Sequence, residues 1–383
     1  MKKDRKPETR LWLNVGESSG DVYGELLMRE LEALRPGCRC AGMGGERMRR
    51  AGLETVARAE ELSVVGVTEV LGHIPRIIGL LSRVRRAMKE FRPQAVVVVD
   101  CPDFHFLVVR MAHRLGIPVV YFIAPQAWAW RQGRVRFLRK FVDRLVCIFP
   151  FEEPFFRDHG VEAVYVGHPL LEEMDLAGLG RVTFDPKLIG VLPGSRRREV
   201  ESLLPVFGQA ARILLENHPD LRFRLVRAPH VDRATVARLW PRDVPLEVHE
   251  ADERHARIRE CAFVMAASGT VTLECALLGT PAMVAYRVSA LSSVLGRMLI
   301  HVPHIAMPNL ILGRGVYPEF IQGRANPDLL AGQGLDWLDR PETLQAVRDE
   351  VAKIPELLGR GGATRTTAEI VLDLAARSRN RRK

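Results

Sequence analysis

Two segments of the sequence share one plan: a short apolar run, a glycine-containing turn and a helix-like stretch. The first is Leu11–Val15 followed by Gly16-Glu17-Ser18-Ser19-Gly20-Asp21, and the second is Ile189–Leu192 followed by Pro193-Gly194-Ser195-Arg196. In open α/β sheets, ligands bind at the carboxyl ends of strands, where such loops lie. Because each segment heads one half of the chain, the pattern predicts two nucleotide-binding halves that face each other across a central cleft.

The order of the remaining segments supports an α/β fold. Strand-like and helix-like stretches alternate, and a continuous valine run such as Ala95–Val99 is typical of a strand buried on both faces of a parallel sheet. Val166-Gly167-His168-Pro169 and the polar stretch after it predict a linker. We predict two Rossmann-like domains, residues 1–170 and 187–344, joined by a linker over 171–186 and followed by C-terminal helices over 345–383.

Composition narrows the class of protein. The chain has 383 residues, a net charge of +10 and six cysteines without a C-x-x-C pair. No apolar run approaches the roughly 20 residues of a membrane span, and none near the start has the about 7–15 residues of a signal-peptide core. We therefore expect a cytoplasmic protein with an anionic partner. Helix-turn-helix, zinc-finger and RNP signatures are missing from the sequence, which argues against nucleic acid.

Two motifs in the second half of the chain describe a nucleotide-diphosphate site. Gly194, Ser195 and Arg196 follow a strand, where backbone N–H groups and a helix N-terminus favour a phosphate. Ser268-Gly269-Thr270 opens another helix, and Glu274 lies one turn along it, where a carboxylate could accept ribose hydroxyls. The structural alternatives are an ordinary turn with a solvated basic face, and a helix cap with an exposed glutamate. A P-loop motif is absent from the sequence, which argues against P-loop ATP hydrolysis.

A carboxylate at a strand end is the candidate base. Asp100 ends the valine-rich strand and could take a proton from an attacking hydroxyl. Asp103 fits the alternative role of capping the helix that starts near Phe104.

Residues 64–86 combine apolar side chains with arginines. Such a surface can dip into an anionic membrane, whereas the alternative is an amphipathic helix packed on the core. The predicted membrane patch consists of Val65, Val67, Val70, Leu71, Ile74, Ile77, Arg83 and Arg86.

At this point the ordered motifs resemble those of the lipid-A-disaccharide synthase family. They are Gly16–Asp21, Asp100-Cys101-Pro102-Asp103-Phe104, Pro125-Gln126-Ala127-Trp128-Ala129-Trp130, Val166–Leu170, Leu192–Arg196, Ser268–Thr270 with Glu274, and Pro308-Asn309. The resemblance implies a GT-B glycosyltransferase that inverts the anomeric centre. It would condense UDP-2,3-diacylglucosamine with 2,3-diacylglucosamine 1-phosphate (lipid X), giving a β-1,6-linked lipid A disaccharide 1-phosphate and UDP. It also implies no metal and no cofactor.

The resemblance assigns roles to individual residues. Asp100 becomes the base, and the residues of the two nucleotide motifs, with Asn309 and Gln322, bind the donor. Glu17, Ser19, Asp21 and Asp103 lie on the acceptor side. The acylated substrates favour the inner face of the cytoplasmic membrane as the location, and the C-terminal helices are expected to return to the first domain. A homodimer is left open.

The sequence leaves three alternatives open. Two are other enzymes of this architecture: the transferase that adds N-acetylglucosamine to the peptidoglycan precursor, and a UDP-N-acetylglucosamine 2-epimerase. The third is a non-catalytic basic protein that binds membranes.

Overall fold

The computed structural model describes residues 8–63, 70–129, 132–228, 231–288, 302–359 and 361–381, and the chain divides into two units. Unit 1 consists of Met1–Glu173 and Leu358–Lys383, and unit 2 of Met174–Leu357. Each unit is built on one sheet whose strand pairs are all parallel. The predicted α/β class with two Rossmann-like domains is therefore confirmed.

Unit 1 has a seven-stranded sheet in the order β3-β2-β1-β4-β5-β6-β7. Its strands are β1 Arg10–Val15, β2 Arg39–Gly44, β3 Glu54–Arg58, β4 Ala95–Val99, β5 Val119–Phe122, β6 Arg144–Cys147 and β7 Ala163–Tyr165. Its helices are α1 Ser18–Leu34, α2 Glu46–Arg50, α3 Glu60–Ser63, α4 Val70–Phe91, α5 Pro102–Arg114, α6 Arg134–Phe141, α7 Glu152–Asp158 and α8 Leu170–Glu173.

Unit 2 has a six-stranded sheet in the order β10-β9-β8-β11-β12-β13. Its strands are β8 Asp185–Leu192, β9 Arg222–Val226, β10 Glu247–His249, β11 Cys261–Ala267, β12 Ala282–Tyr286 and β13 Glu319–Ile321. Its helices are α9 Leu176–Leu179, α10 Arg197–Asn217, α11 Arg233–Leu239, α12 Arg254–Arg259, α13 Thr270–Leu277, α14 Met307–Leu312, α15 Pro327–Asp339, α16 Pro341–Val351 and α17 Ile354–Leu357. Short 3₁₀ turns lie at Ala251–Glu253 and Gln322–Arg324.

The central strands hold each core together. All five residues of β4 and all seven of β11 are buried, because helices cover both faces of these parallel sheets. In unit 1 the helix α4 adds Leu80, Val84 and Met88 to the core. These three residues recur every four positions, so one side of the helix faces the sheet.

The C-terminal helix α18, Ala363–Arg381, belongs to unit 1 and packs against α1. The Thr364 backbone N–H donates to Glu172 at 3.1 Å, and Arg365 lies 3.6 Å from Glu30. The helix α16, of which only the residues from 345 onward were predicted to belong to the C-terminal segment, is part of unit 2. The structure thus divides the chain after Glu173 and after Leu357 rather than at the predicted residues.

None of the helices in the described part of the chain combines the length and the apolar character that crossing a membrane requires.

Candidate functional site

The carboxyl ends of β1, β4, β5 and β6 are neighbours in the unit 1 sheet, so the loops that follow them share one edge. The loop after β1 begins at Gly16, and the loop after β4 begins at Asp100. These two loops are in close contact, since a side chain on Gly16 would place its Cβ 2.5 Å from the Cys101 Sγ. The predicted residues Glu17 and Asp100 therefore lie on adjoining loops of unit 1.

Asp100 and Cys101 both have left-handed backbone conformations, with φ of 50° and 47°. Such a conformation costs a residue other than glycine about 1–3 kcal/mol and is found at functional sites. The Asp100 N–H continues the sheet by donating to the Phe122 carbonyl at 3.1 Å. The chain turns sharply at the next peptide and enters α5, which places the half-buried Asp100 at the sheet edge.

The pKa of Cys101 shows that acidic groups surround this turn. Burial raises the pKa of the Cys101 thiol to about 12, and the nearby negative charges of Glu17 and Asp100 add to the rise. Asp103, in the first turn of α5, is exposed and pairs with Arg134, whose side chain is largely buried. Ser19 is half-buried in the first turn of α1. Glu17 and Asp103 thus both lie close to the Asp100 turn, and Asp103 pairs with Arg134.

Asp21 has a structural role that the sequence analysis did not foresee. The side chain is buried, and its carboxylate accepts from the backbone N–H groups of Gly45, Arg47 and Met48 at 2.7, 2.9 and 3.2 Å. It therefore satisfies the N-terminus of α2, where helix N–H groups lack partners within the helix. A role on the acceptor side would have to come in addition to this one.

Glu152 is a buried carboxyl at the same edge that the sequence analysis missed. It accepts from the Trp128 Nε1–H at 3.0 Å and from the backbone N–H groups of Ile148 and Phe149 at 3.0 and 3.1 Å. Burial raises its pKa to about 7 against the effect of these hydrogen bonds. It joins the loop after β5 to the loop after β6. The strand-end rule that selected Asp100 would have identified it, since it follows the apolar run 145–151.

In unit 2 the predicted donor residues also share one sheet edge. The neighbouring strands β8, β11, β12 and β13 end there, and three of them lead into Pro193-Gly194, Ser268 and Gln322. The loops after β8 and β11 lead into α10 and α13, so two helix N-termini lie at this edge, each favouring an anion. The structure therefore brings these three predicted segments together.

The loop after β8 depends on a residue that the sequence analysis overlooked. Gly194 has a φ of 109°, and a Cβ there would lie 2.4 Å from the Glu199 carboxylate. Glu199 accepts from the Arg196 backbone N–H at 3.2 Å and pairs with its guanidinium at 3.6 Å. The signal was available, because a glutamate three residues after a helix cap is typical of a capping box. Ser195 and Arg196 are exposed, the latter with 72% of its side chain accessible.

The loop after β11 ends in Gly269, which precedes the exposed Thr270 at the start of α13. Ser268 is anchored, since its Oγ–H donates to the Ile305 carbonyl at 3.2 Å. Gly269 has a φ of 152°, which also favours glycine at this position. The first turn of α13 is thus held to the sheet edge with Thr270 toward solvent.

Glu274 is buried one turn further along α13, not exposed as the structural alternative had it. Its carboxylate lies 3.2 Å from the Arg254 guanidinium and 3.5 Å from the His255 Nε2. Burial alone would raise the pKa of Glu274, but the hydrogen bond from His255 and the charge of Arg254 lower it below its ordinary value. A carboxylate has about four acceptor positions, so that an ionised Glu274 can accept ribose hydroxyls in addition.

Asn309 and Gln322 differ from the other predicted donor residues. The buried Asn309 donates to the Tyr317 carbonyl and to Glu319 at 2.8 and 2.9 Å, and accepts from the backbone of Val316 and Tyr317. All four of its hydrogen-bonding positions are used to hold α14 to β13. Gln322 has a φ of 55° and accepts from the Val288 N–H at 3.2 Å, which ties the ends of β13 and β12 together. Both side chains are engaged in shaping the unit 2 edge.

The predicted membrane patch is described only in part. Val65 and Val67 lie outside the described residues, as do the side chains of Val70, Leu71 and Ile74. Ile77 packs partly against the unit 1 core, whereas the next residue, Ile78, is 60% exposed. The exposed Arg83 pairs with Glu61, and Arg86 is exposed. An exposed isoleucine thus lies among exposed arginines on α4.

In the described ranges no three histidine, cysteine, aspartate or glutamate side chains are grouped as metal ligands.

Known proteins resemble this chain over most of its length. The model of the family described as "Lipid-A-disaccharide synthetase" matches residues 11–368. The lipid-A-disaccharide synthase of Syntrophus aciditrophicus (strain SB) is 40% identical over 380 residues, which cover 95% of this chain and 97% of that protein. The lipid-A-disaccharide synthase of Geobacter sulfurreducens is 39% identical over 376 residues, covering 95% and 97%.

Solved structures show the same fold at low identity. The UDP-GlcNAc 2-epimerase from Neisseria meningitidis, bound to UDP-GlcNAc, aligns with a TM-score of 0.66 at 12% identity, over 95% of this chain and all of the other. The calicheamicin glycosyltransferase CalG4 aligns with a TM-score of 0.60 at 16% identity, over 97% and 99%. The fold is therefore one that glycosyltransferases and UDP-GlcNAc 2-epimerases share.

Proposed function

This chain belongs to the lipid-A-disaccharide synthase family, and from that premise we propose that it transfers 2,3-diacylglucosamine from its UDP derivative to 2,3-diacylglucosamine 1-phosphate. The products are a β-1,6-linked disaccharide 1-phosphate and UDP. Family membership over residues 11–368 is the observation that carries this proposal. It also disfavours the epimerase and the peptidoglycan transferase as alternatives.

We propose a single displacement at the anomeric carbon, because an α-linked donor gives a β-linked product. Asp100 takes the proton of the acceptor 6-hydroxyl while that oxygen forms a bond to C1. The bond between C1 and the UDP oxygen breaks, and the electron pair leaves with UDP. A carboxylate at the edge of the unit 1 sheet suits the base, since general bases are held at such strand ends.

The donor residues belong to unit 2. Backbone N–H groups of Gly194 and Ser195 and of the first turn of α13 bind the diphosphate, aided by the Arg196 guanidinium. The same groups stabilise the negative charge that develops on the leaving UDP. Glu274 accepts the ribose hydroxyls, and its lowered pKa keeps it ionised for this role.

UDP release tests the proposal directly. We expect the purified protein to release UDP from UDP-2,3-diacylglucosamine only when lipid X is present, and to form the disaccharide in equal amount. UDP-N-acetylglucosamine, which has no acyl chains, serves as the control donor. Release of UDP without acceptor, or epimerisation of the control donor, would contradict the proposal.

The Glu274→Gln variant should bind the donor about 10- to 100-fold more weakly, the range expected for hydrogen bonds to a charged group. The amide has one acceptor oxygen in place of two, so it cannot serve both ribose hydroxyls and Arg254. Isothermal titration with UDP and the donor KM measure the effect. The control is Glu253→Gln, an exposed carboxylate that pairs with Arg257 in the same unit. An unchanged affinity for UDP in Glu274→Gln would mean that the nucleotide site has been misplaced.

We also propose that the exposed part of α4 contacts the anionic inner face of the cytoplasmic membrane, where the acylated substrates reside. The double variant Ile78→Ser, Arg86→Ser should bind phosphatidylglycerol vesicles at least about tenfold more weakly than the wild type. An apolar contact and a basic contact with the membrane are both lost. Its melting temperature should stay unchanged, because both side chains are exposed. Leu329→Ser, at an exposed leucine of unit 2, is the control. Equal vesicle binding by the double variant and the wild type would exclude this surface.

A further inference from the structure

The turn at Asp100 is held by two buried side chains that meet at one oxygen atom. The His105 Nδ1 lies 2.6 Å from the Asp100 carbonyl oxygen, and the Tyr121 hydroxyl lies 2.8 Å from it. His105 is on α5, which follows the turn, and Tyr121 is on β5, the neighbouring strand. Both residues are fully buried. The carbonyl is thus fixed from the helix and from the sheet at once.

The protonation states of both groups follow from this geometry. A carbonyl oxygen only accepts, so the His105 Nδ1 carries a proton and donates it. The other ring nitrogen, Nε2, is buried and has no hydrogen-bond partner among the described residues, which suits a neutral ring. Burial lowers the pKa of His105 to about 4 and raises that of Tyr121 well above its ordinary value. Both groups therefore remain donors throughout the neutral pH range.

His105 and Tyr121 both donate to the Asp100 carbonyl, and the peptide that contains this carbonyl sets the direction of the Asp100 side chain. Asp100 and Cys101 have left-handed backbones, which the chain adopts only where its surroundings hold them. The direction of the Asp100 Cα–Cβ bond depends on the torsion angles on either side of that carbonyl. A displacement of about 1 Å at a reacting group costs about 10²-fold in rate.

We propose that His105 and Tyr121 are positioning residues that hold the Asp100 peptide and thereby aim its carboxylate at the acceptor hydroxyl. The inference rests on the proposed function, in which Asp100 is the base. Neither side chain touches substrate, and each acts through the Asp100 carbonyl. Because the two donors share one acceptor, each partly compensates for the loss of the other.

The variants are His105→Leu, which lacks the donor, Tyr121→Phe, which lacks only the hydroxyl, and the two combined. We expect each single variant to lose about 3- to 10-fold in kcat, the range for one hydrogen bond. The combined variant should lose about 100-fold or more, since the carbonyl is then left without either donor. The donor KM should stay unchanged throughout, because the donor residues belong to unit 2. His105→Asn should restore most of kcat, as the asparagine Nδ2 occupies the position of the histidine Nδ1.

Two matched controls separate this role from general packing. Tyr317→Phe removes a buried hydroxyl that donates to the Thr280 carbonyl at 2.7 Å in unit 2, and His113→Leu removes an exposed histidine from α5. Both should retain kcat. In the Asp100→Asn background, His105→Leu should change the single-turnover rate by no more than about twofold. If His105→Leu reduced the rate of Asp100→Asn by the same factor as it reduces that of the wild type, the inference would be overturned. His105 would then act independently of the Asp100 carboxylate.

One readout does not depend on activity. Hydrogen exchange of the segment 95–106 should accelerate in the combined variant and not in the two controls, because the turn at Asp100 loses both donors. Unchanged exchange there would overturn the inference. Failure of the proposed function is recognised separately, since the wild type would then release no UDP in the presence of lipid X. If His105→Leu does not fold, Tyr121→Phe, which keeps the ring, provides the same test.

Discussion

We expect the Asp100→Asn variant to turn over substrate about 10²–10⁴-fold more slowly than the wild type, the contribution of a general base. Asparagine has the same shape as aspartate and tolerates the left-handed backbone found at this position, but its amide cannot accept the proton. UDP affinity and melting temperature should stay the same, because the donor residues lie in unit 2 and the turn is preserved. Steady-state kinetics and titration with UDP measure both quantities.

Asp103→Asn is the matched control, three residues away on the same turn of chain. Its carboxylate is exposed and pairs with Arg134, and we expect a much smaller loss of activity. If Asp103→Asn were inactive and Asp100→Asn active, the base would be Asp103 and the geometry of the Asp100 turn would serve another purpose.

The sequence best predicts the strands that are continuous apolar runs, because such runs indicate burial on both faces of a sheet. β4 and β11 are continuous apolar runs, and both lie at the centre of their sheets. The residue pattern does not predict β2, β3 and β13. β3 and β13 are short edge strands that carry polar residues, and β2 contains two glycines. Gly42 in β2 marks a close approach rather than a turn, since a Cβ there would meet the Leu13 carbonyl oxygen at 1.8 Å.

The sequence predicts the location of those site residues that directly follow a buried strand. Asp100, Gly194 and Ser268 follow buried strands, and parallel strands bring such loops to one edge of a sheet. Contacts between residues distant in sequence could not be predicted in this way. Asp21 accepts from Gly45, 24 positions away, and a single sequence contains no signal for that pairing.

Acid should destabilise the protein through two buried histidines. Burial lowers the pKa of His168 to about 3 and that of His105 to about 4. The unfolded chain, with an ordinary histidine pKa of about 6.5, therefore binds protons in a pH range where the folded protein does not. The stability that the two neutral histidines contribute is fully present above about pH 6.5, and it is lost as the pH falls toward their lowered pKa values. At pH 5 the loss amounts to about 2 kcal/mol for each histidine.

Glu152 has the opposite effect on the pH dependence of stability over part of this pH range. Burial raises its pKa to about 7, so between about pH 7 and pH 4.5 the folded protein holds a proton that the unfolded chain releases. Its contribution to stability therefore increases as the pH falls and offsets part of the loss from the histidines. Glu152→Gln should remove this offset and make the decline in the free energy of unfolding steeper below pH 7.

The corresponding variant at the histidine is His168→Asn. The His168 Nδ1 accepts from the Leu170 N–H at 3.1 Å, and the asparagine Oδ1 can occupy its place while carrying no titratable proton. Urea unfolding at a series of pH values should therefore show a shallower decline between pH 7 and pH 4.5 than in the wild type. His159→Asn, at an exposed histidine, should leave the slope unchanged. Identical slopes for His168→Asn and the wild type would mean that the folded protein accommodates a protonated His168 and that burial does not lower the pKa of this ring.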